Sequence, residues 1–285
     1  MQIKIAFFLN GTRGKQIQDF INKKKIKIDL IFNQKNIIKK SKLNFDLIKK
    51  KIKLNNNYIF IFIGFNKIIN RNVINYPKFG SYNLHAGYLP KYRGASPIVY
   101  QLLNNENKGA CYILKMDSGI DSGPYVLKKN YKITDKDDAT SLTKKTGEIF
   151  CSLILRFFEL LKKNKKIKFI KQPVNPVFYW TKRYPQDGLI DWKSFHSKDI
   201  LSTIRALKRP YPGAFAYLKN RKIIIDEATI GPSNLKGVNG RVVRLTKDSF
   251  TTLCKDGSIT VKKLRNFKIQ NLIKKKIIKY GSDFK

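Results

Sequence analysis

Three side chains could do chemistry together: the amide of Asn83, the imidazole of His85 and the carboxylate of Asp121. His85 is one of only 2 histidines in the chain. Asn-x-His spacing on a strand puts both side chains on one face, because strand side chains alternate. An amide there can donate to an oxygen that gains negative charge, and an imidazole can donate or exchange a proton near neutral pH. Asp121 lies in Gly119-Ile120-Asp121-Ser122-Gly123-Pro124, a glycine-bracketed loop that also follows Asp117. A carboxylate beside the ring favours its charged form and can take up a proton, directly or through a water. Alone, His85 would read as a buried histidine satisfied by its neighbours. With the other two it reads as a site that polarises a carbonyl for attack.

The elements that must hold this trio follow from the pattern around it. A strand is expected over 81–85, then a loop punctuated by Gly87, Pro90 and Gly94. Ser96-Pro97 reads as the N-cap and first residue of a helix to about 104, and 110–115 as the strand leading to Asp117 and Asp121. Upstream, 2–9, 26–32 and 58–63 are strand candidates; the last, YIFIFI, has the continuous apolar character of a fully buried parallel strand. Helical spacing covers about 15–22 and 45–53. Strands alternating with helices predict an α/β fold with an open, mostly parallel, Rossmann-like sheet. Ligands of such sheets bind beyond the carboxyl ends of the strands, which brings in the Gly64-Phe65 turn. Asn10-Gly11-Thr12-Arg13-Gly14 lacks both G-x-G-x-x-G spacing and a Lys-Ser/Thr pair, so it reads as a plain strand-to-helix turn.

Further on, 139–164 has the stripe of a long amphipathic helix that ends in a lysine-rich run. Pro173, Pro176, Pro185 and Gly188 break 172–192 into a linker interleaved with Phe178, Tyr179 and Trp180. A helix is expected over 199–207. The short strands and turns of 223–265 predict a small OB-like β-barrel. The expected organisation is a catalytic domain over 1–172, a linker with a helix over 173–218, and a β domain over 219–285.

Composition sets the outer bounds. The 285 residues are 42% hydrophobic and 12% aromatic, enough to fold rather than stay disordered. A net charge of +40 invites a polyanionic partner. Lysine, isoleucine, asparagine, phenylalanine and tyrosine are all in excess together, however, and lysine is spread through the chain, as a biased genome would produce. The 3 cysteines, Cys111, Cys151 and Cys254, are far apart and without metal-ligand spacing, so neither a disulfide framework nor a structural metal is expected. No run approaches a membrane span and no cleavable leader is evident, so a soluble cytoplasmic protein is expected.

Asn83-Leu84-His85, Leu89-Pro90-Lys91-Tyr92-Arg93-Gly94 and Asp121-Ser122-Gly123-Pro124, in that order, resemble the folate-dependent formyltransferases. The resemblance covers most of the chain. It implies 10-formyltetrahydrofolate as formyl donor, a primary amine as acceptor, no metal, and Asn83, His85 and Asp121 as catalytic residues. It implies a folate pocket shaped by Gly64, Phe65 and the 116–120 loop (Met116, Asp117, Gly119 and Ile120), with Asp117 shaping that loop. Lys91, Tyr92 and Arg93 are assigned to substrate. For the acceptor, an amino sugar linked to a nucleotide comes first, on the run Arg183-Tyr184-Pro185-Gln186-Asp187-Gly188 and on the short 33–44 region. Initiator methionyl-tRNA is the alternative, favoured by the charge and the OB-like region. A homodimer is compatible with the sequence. A non-catalytic member of the family would have lost one of the three polar residues, and none is lost.

Overall fold

Tyr58–Ile63 is buried along its whole length. A run of tyrosine, isoleucine and phenylalanine has no face to offer water and belongs inside a covered sheet. In the computed structural model, which describes residues 3–39, 42–52, 57–163 and 167–285, it is an inner strand of a six-stranded sheet. The strands run in the order Leu30–Asn33, Lys4–Leu9, Tyr58–Ile63, Ser81–His85, Lys108–Lys115 and Tyr125–Lys132. The first four run parallel, Lys108–Lys115 runs antiparallel to them, and Tyr125–Lys132, antiparallel to Lys108–Lys115, returns to their direction, so the sheet is open and mostly parallel, as expected. This sheet forms the first of two compact units, residues 1–97, 107–133 and 143–182.

One row of neighbours crosses the sheet: Phe32, Phe8, Phe62, Asn83 and Leu114. Phe8 stacks on Phe32 at 4.9 Å and on Phe62 at 4.4 Å between ring centroids. Ile48 and Ile52, one turn apart on the helix Phe45–Ile52, close over the same cluster. Burial of each such side chain stabilises by about 1.5–3 kcal/mol relative to exposure. The row is apolar until Asn83. The adjacent row, Phe7, Ile61 and Tyr82, faces the other way, and the long helix Ala139–Lys162 covers it through Phe157 and Phe158.

Several boundaries differ from the sequence expectation. The second strand covers only Leu30–Asn33; just before it Asp29 bonds Ile5 twice, its N–H donating to the Ile5 carbonyl at 3.2 Å and its carboxylate accepting the Ile5 N–H at 2.8 Å. The first helix starts earlier, at Gly11, with Asn10 as its extended N-cap. Tyr125–Lys132 was not expected as a strand: only Val126 and Tyr131 are buried in this edge strand, and its run of exposed Lys128, Lys129 and Asn130 shows no period-2 alternation. Residues 2, 53 and 164, at the ends of three expected elements, lie outside the described residues, as does the middle of the lysine run after the long helix.

The second unit comprises residues 98–106, 134–142 and 183–285. Its antiparallel sheet has the order Ala214–Leu218, Arg221–Ile230, Gly257–Leu264, Phe250–Cys254 and Val242–Leu245. Residues 282–285 join the two outer strands. Tyr217 and Lys285 exchange both backbone hydrogen bonds, the Phe284 N–H donates to Gly240 and the Val242 N–H to Ser282. Neither outer strand is left as a bare edge for pairing with another chain. Among the described residues no helix is long and apolar enough to cross a membrane.

Candidate active site

Asn83 and His85 both reach Asp121, and the reach depends on a reversal of chain direction. Lys108–Lys115 runs antiparallel to Ser81–His85, so its last residue pairs with Tyr82, near the start of its neighbour. The 116–124 loop then turns back over the sheet face, tied at its root by the Met116 N–H to Ser81 and the Lys115 N–H to Pro124. Asp117 builds the turn, its Oδ1 accepting from the Gly119 N–H at 3.0 Å and from the Ser122 hydroxyl at 2.7 Å. A side chain at Gly119 would collide with that hydroxyl, and one at Gly123 with the Lys115 carbonyl.

The Asp121 carboxylate accepts two hydrogen bonds and faces an imidazole. Its Oδ1 accepts from Asn83 Nδ2 at 2.9 Å, and its Oδ2 accepts from the Gly94 N–H at 3.0 Å and lies 3.4 Å from His85 Nδ1. The other ring nitrogen of His85, Nε2, is 2.6 Å from the Tyr92 carbonyl. Both ring nitrogens thus lie near acceptor oxygens. Gly87 makes the carbonyl contact possible, since a Cβ there would lie 2.6 Å from both His85 Nε2 and the Tyr92 oxygen. Asp121 sits in the left-handed region at φ 48°, where aspartate is among the few residues found without glycine.

The structure brings some of the expected folate residues to the same place. A small cavity of about 30 Å³ is lined by Asn83 and Asp121 together with Met116, Asp117 and Gly119. His85 is buried behind it, and Ile120 is half exposed. Phe65 packs edge-on against Phe8 and Phe62, in the cluster that also takes Met116. The Gly64 carbonyl accepts from Asn10 Nδ2 at 2.9 Å. Its φ of 67° requires glycine, as does the Asn10 oxygen, which would stand 2.5 Å from any Cβ at this position. A larger cavity of about 640 Å³ lies toward the opposite strand ends, sharing Lys115 and Met116 but none of the trio. Chemistry, not size, marks the smaller one.

Of Lys91, Tyr92 and Arg93, assigned to substrate from the resemblance, two have their side chains turned inward. Tyr92 is fully buried, its ring stacked on Trp180 at 5.5 Å, and Arg93 is buried with its guanidinium on Gln172 and Tyr179. Only Lys91 remains partly exposed. The cause is a strap that the sequence hid inside a proline-rich linker. Tyr179–Trp180 pairs in parallel with Arg93–Gly94, and Trp180 Nε1 donates to the Lys91 carbonyl at 2.9 Å. Gln172, Tyr179 and Trp180 are therefore residues that sequence reasoning missed; the aromatic cluster was the only signal.

Cysteine chemistry is disfavoured. Burial pushes the Cys111 thiol up to about 12 and those of Cys151 and Cys254 up to about 11, leaving little thiolate near neutrality. Among the described residues, no group of three or more His, Cys, Asp or Glu could hold a metal ion.

Comparison with known proteins places the chain in a family. The family described as Formyl transferase matches residues 9–156, and Formyl transferase, C-terminal domain, matches 182–276. The bifunctional polymyxin resistance protein ArnA of Wigglesworthia glossinidia brevipalpis is 36% identical over 207 residues, which are 70% of this chain and 31% of that protein. Methionyl-tRNA formyltransferase of Caldicellulosiruptor saccharolyticus is 31% identical over 242 residues, 84% of this chain and 75% of its own. This chain thus spans less than a third of ArnA and three quarters of the second relative. The crystal structure of WlaRD, a sugar 3N-formyl transferase in the presence of dTDP and 5-N-formyl-THF, has the same fold at a TM-score of 0.65 and 20% identity, covering 94% of this chain and 99% of that one. Matched by both family descriptions and by relatives along most of its length, the chain belongs to the formyl transferase family.

Proposed function

We propose that this protein transfers a formyl group from 10-formyltetrahydrofolate to a primary amine, with Asn83, His85 and Asp121 as its catalytic residues. The observation that carries the reading is the convergence of Asn83 and His85 on the two oxygens of Asp121 beside a small cavity. The Asn83 amide has two hydrogens; Asp121 takes one, and the other is available to an oxygen that gains negative charge during attack. Fixed donors of this kind stabilise developing charge without reorganising. His85, 3.4 Å from Oδ2, orients the carboxylate. Asp121 receives the proton that the amine loses, directly or through a water, and can return it to the nitrogen the formyl group leaves, so that tetrahydrofolate departs as the neutral amine.

The folate would be held by Met116, Asp117, Gly119 and Ile120, with Gly64 and Phe65 alongside. The placement of Met116, Asp117 and Gly119 around the Asn83–Asp121 cavity fits that assignment. Bound there, it supplies an activated formyl carbon; orientation and proton handling belong to the protein.

For the acceptor, we favour the aminoacyl end of methionyl-tRNA. A net charge of +40 suits a polyanion, and the Caldicellulosiruptor relative that carries this name aligns with 84% of the chain. The sequence alone leaned to a nucleotide-linked amino sugar. That second reading keeps the support of the near end-to-end likeness to WlaRD. The test is to incubate purified protein and 10-formyltetrahydrofolate with methionyl-tRNA, and separately with dTDP- and UDP-amino sugars, and to weigh the products by mass spectrometry. Formyl on the sugar alone overturns the acceptor; formyl on neither overturns the activity.

A further inference from the structure

We propose that Gln172 is a positioning residue that fixes the Asp121 carboxylate; the proposal rests on reading Asp121 as catalytic. Gln172 lies far along the chain from the site but uses its whole amide within it. Its Nε2 donates to the Asp121 carbonyl and to the Gly123 carbonyl, each at 2.8 Å. Its Oε1 accepts from Arg93 Nε at 3.1 Å and from Arg93 Nη2 at 2.9 Å. Only one orientation of the amide satisfies two carbonyls on one side and a guanidinium on the other. Arg93 is itself pinned, with Nη1 donating to the Tyr179 hydroxyl at 2.9 Å and the guanidinium carbon 5.6 Å from the centre of that ring.

Asp121 is consequently gripped at both ends from the same short segment. The residue after Arg93, Gly94, donates its N–H to the side chain at 3.0 Å, and Arg93 holds the glutamine that binds the main chain. Asp121 is also the residue with the left-handed φ of 48°. An unsupported loop can leave that conformation for more populated backbone regions, and the carboxylate would swing off Asn83 and His85. Gln172 blocks that relaxation by holding the carbonyls on either side of Ser122.

Gln172→Glu separates this role from simple packing. A glutamate keeps the length and strengthens the pairing with Arg93, but it cannot donate and sets an oxygen against both carbonyls. Gln172→Met, uncharged and of similar length, is the companion variant. Each should lower kcat about 10- to 100-fold while KM for 10-formyltetrahydrofolate changes less than about threefold and Tm stays within a few degrees, the pattern of an interaction expressed in the transition state. In an Asp121→Asn background, either variant should cost almost nothing further, since residues acting through one group are not additive. Near-normal kcat in both variants, an equal loss with or without Asp121, or a fall in Tm that accounts for the lost turnover overturns the proposal. The Asp121→Asn arm keeps the underlying reading distinct. If that variant alone retains turnover, the site assignment has failed and this inference with it; if it is inactive while the Gln172 variants are normal, only this inference has failed.

Discussion

Replacing Asp121 by asparagine tests the site most directly, because the change is nearly isosteric and every partner of the side chain is known. The carboxylate offers two acceptor oxygens, Oδ1 to Asn83 and Oδ2 to the Gly94 N–H and His85. An asparagine can keep only one of them. With its oxygen toward Gly94 and His85, its NH₂ confronts the Asn83 amide at a 2.9 Å separation; flipped, it confronts the Gly94 N–H at 3.0 Å. One hydrogen bond to a charged acceptor, worth about 1.5–3 kcal/mol, is lost in either orientation, and a donor-to-donor contact replaces it. The negative charge opposite His85 is lost as well. Together these losses match the removal of one preorganised catalytic donor, about 2.7–4 kcal/mol, so kcat should fall about 100- to 1000-fold. Tetrahydrofolate release under saturating donor and acceptor measures this, with thermal unfolding run beside it. Turnover within about threefold of the unaltered protein, at an unchanged Tm, would refute the catalytic assignment of Asp121.

The other predictions concern the supports of the site and the thiols. Gly87→Ala places a methyl 2.6 Å from both His85 Nε2 and the Tyr92 oxygen, so it should destabilise by about 1–3 kcal/mol and cost at least about tenfold in kcat; calorimetry and steady-state rates check both. Trp180→Phe keeps an aromatic ring on Tyr92 but removes the donor to the Lys91 carbonyl, for an expected cost of about 0.5–1.5 kcal/mol in urea unfolding. The cysteines should resist iodoacetamide in the native protein at pH 7.5. Reaction is expected to rise about tenfold per pH unit toward the raised values of about 11 for Cys151 and Cys254, because only thiolate reacts. Rapid native labelling of Cys254 at pH 7.5 would contradict the burial that raises it.

How much of this was legible beforehand depended on whether the signal was local. Alternation alone puts Asn83 and His85 on one face, and the apolar run Tyr58–Ile63 alone predicts a covered parallel strand beside them. Both survive because burial and period are properties of a short stretch. The direction of Lys108–Lys115 is different. Nothing in its sequence states that it runs antiparallel, yet that direction is what brings the 116–124 loop back over Asn83. The Lys91-Tyr92-Arg93 run is assigned to substrate through the resemblance, and a strand pair far along the chain, not visible in the run itself, turns Tyr92 and Arg93 inward. Gln172 carried no signal, since a single glutamine among prolines has no period and no motif.

The segment that hid these contacts also explains why the site can be stiff in a loop-rich place. Asp121 holds a backbone conformation that costs a non-glycine residue about 1–2 kcal/mol, and such strain persists only where the surroundings over-determine it. Here the surroundings come from three directions: Asn83 on the sheet, Gly94 on the preceding loop and Gln172 from the strap. Trp180, stacked on Tyr92 and bonded to the Lys91 carbonyl, holds that preceding loop in turn. The carboxylate and the Asn83 amide bonded to it are therefore set before any substrate arrives, and electrostatic stabilisation of a developing oxyanion is strong only when such a donor is already fixed. It follows that substitutions in the strap, far in sequence from the trio, should act on turnover more than on donor affinity.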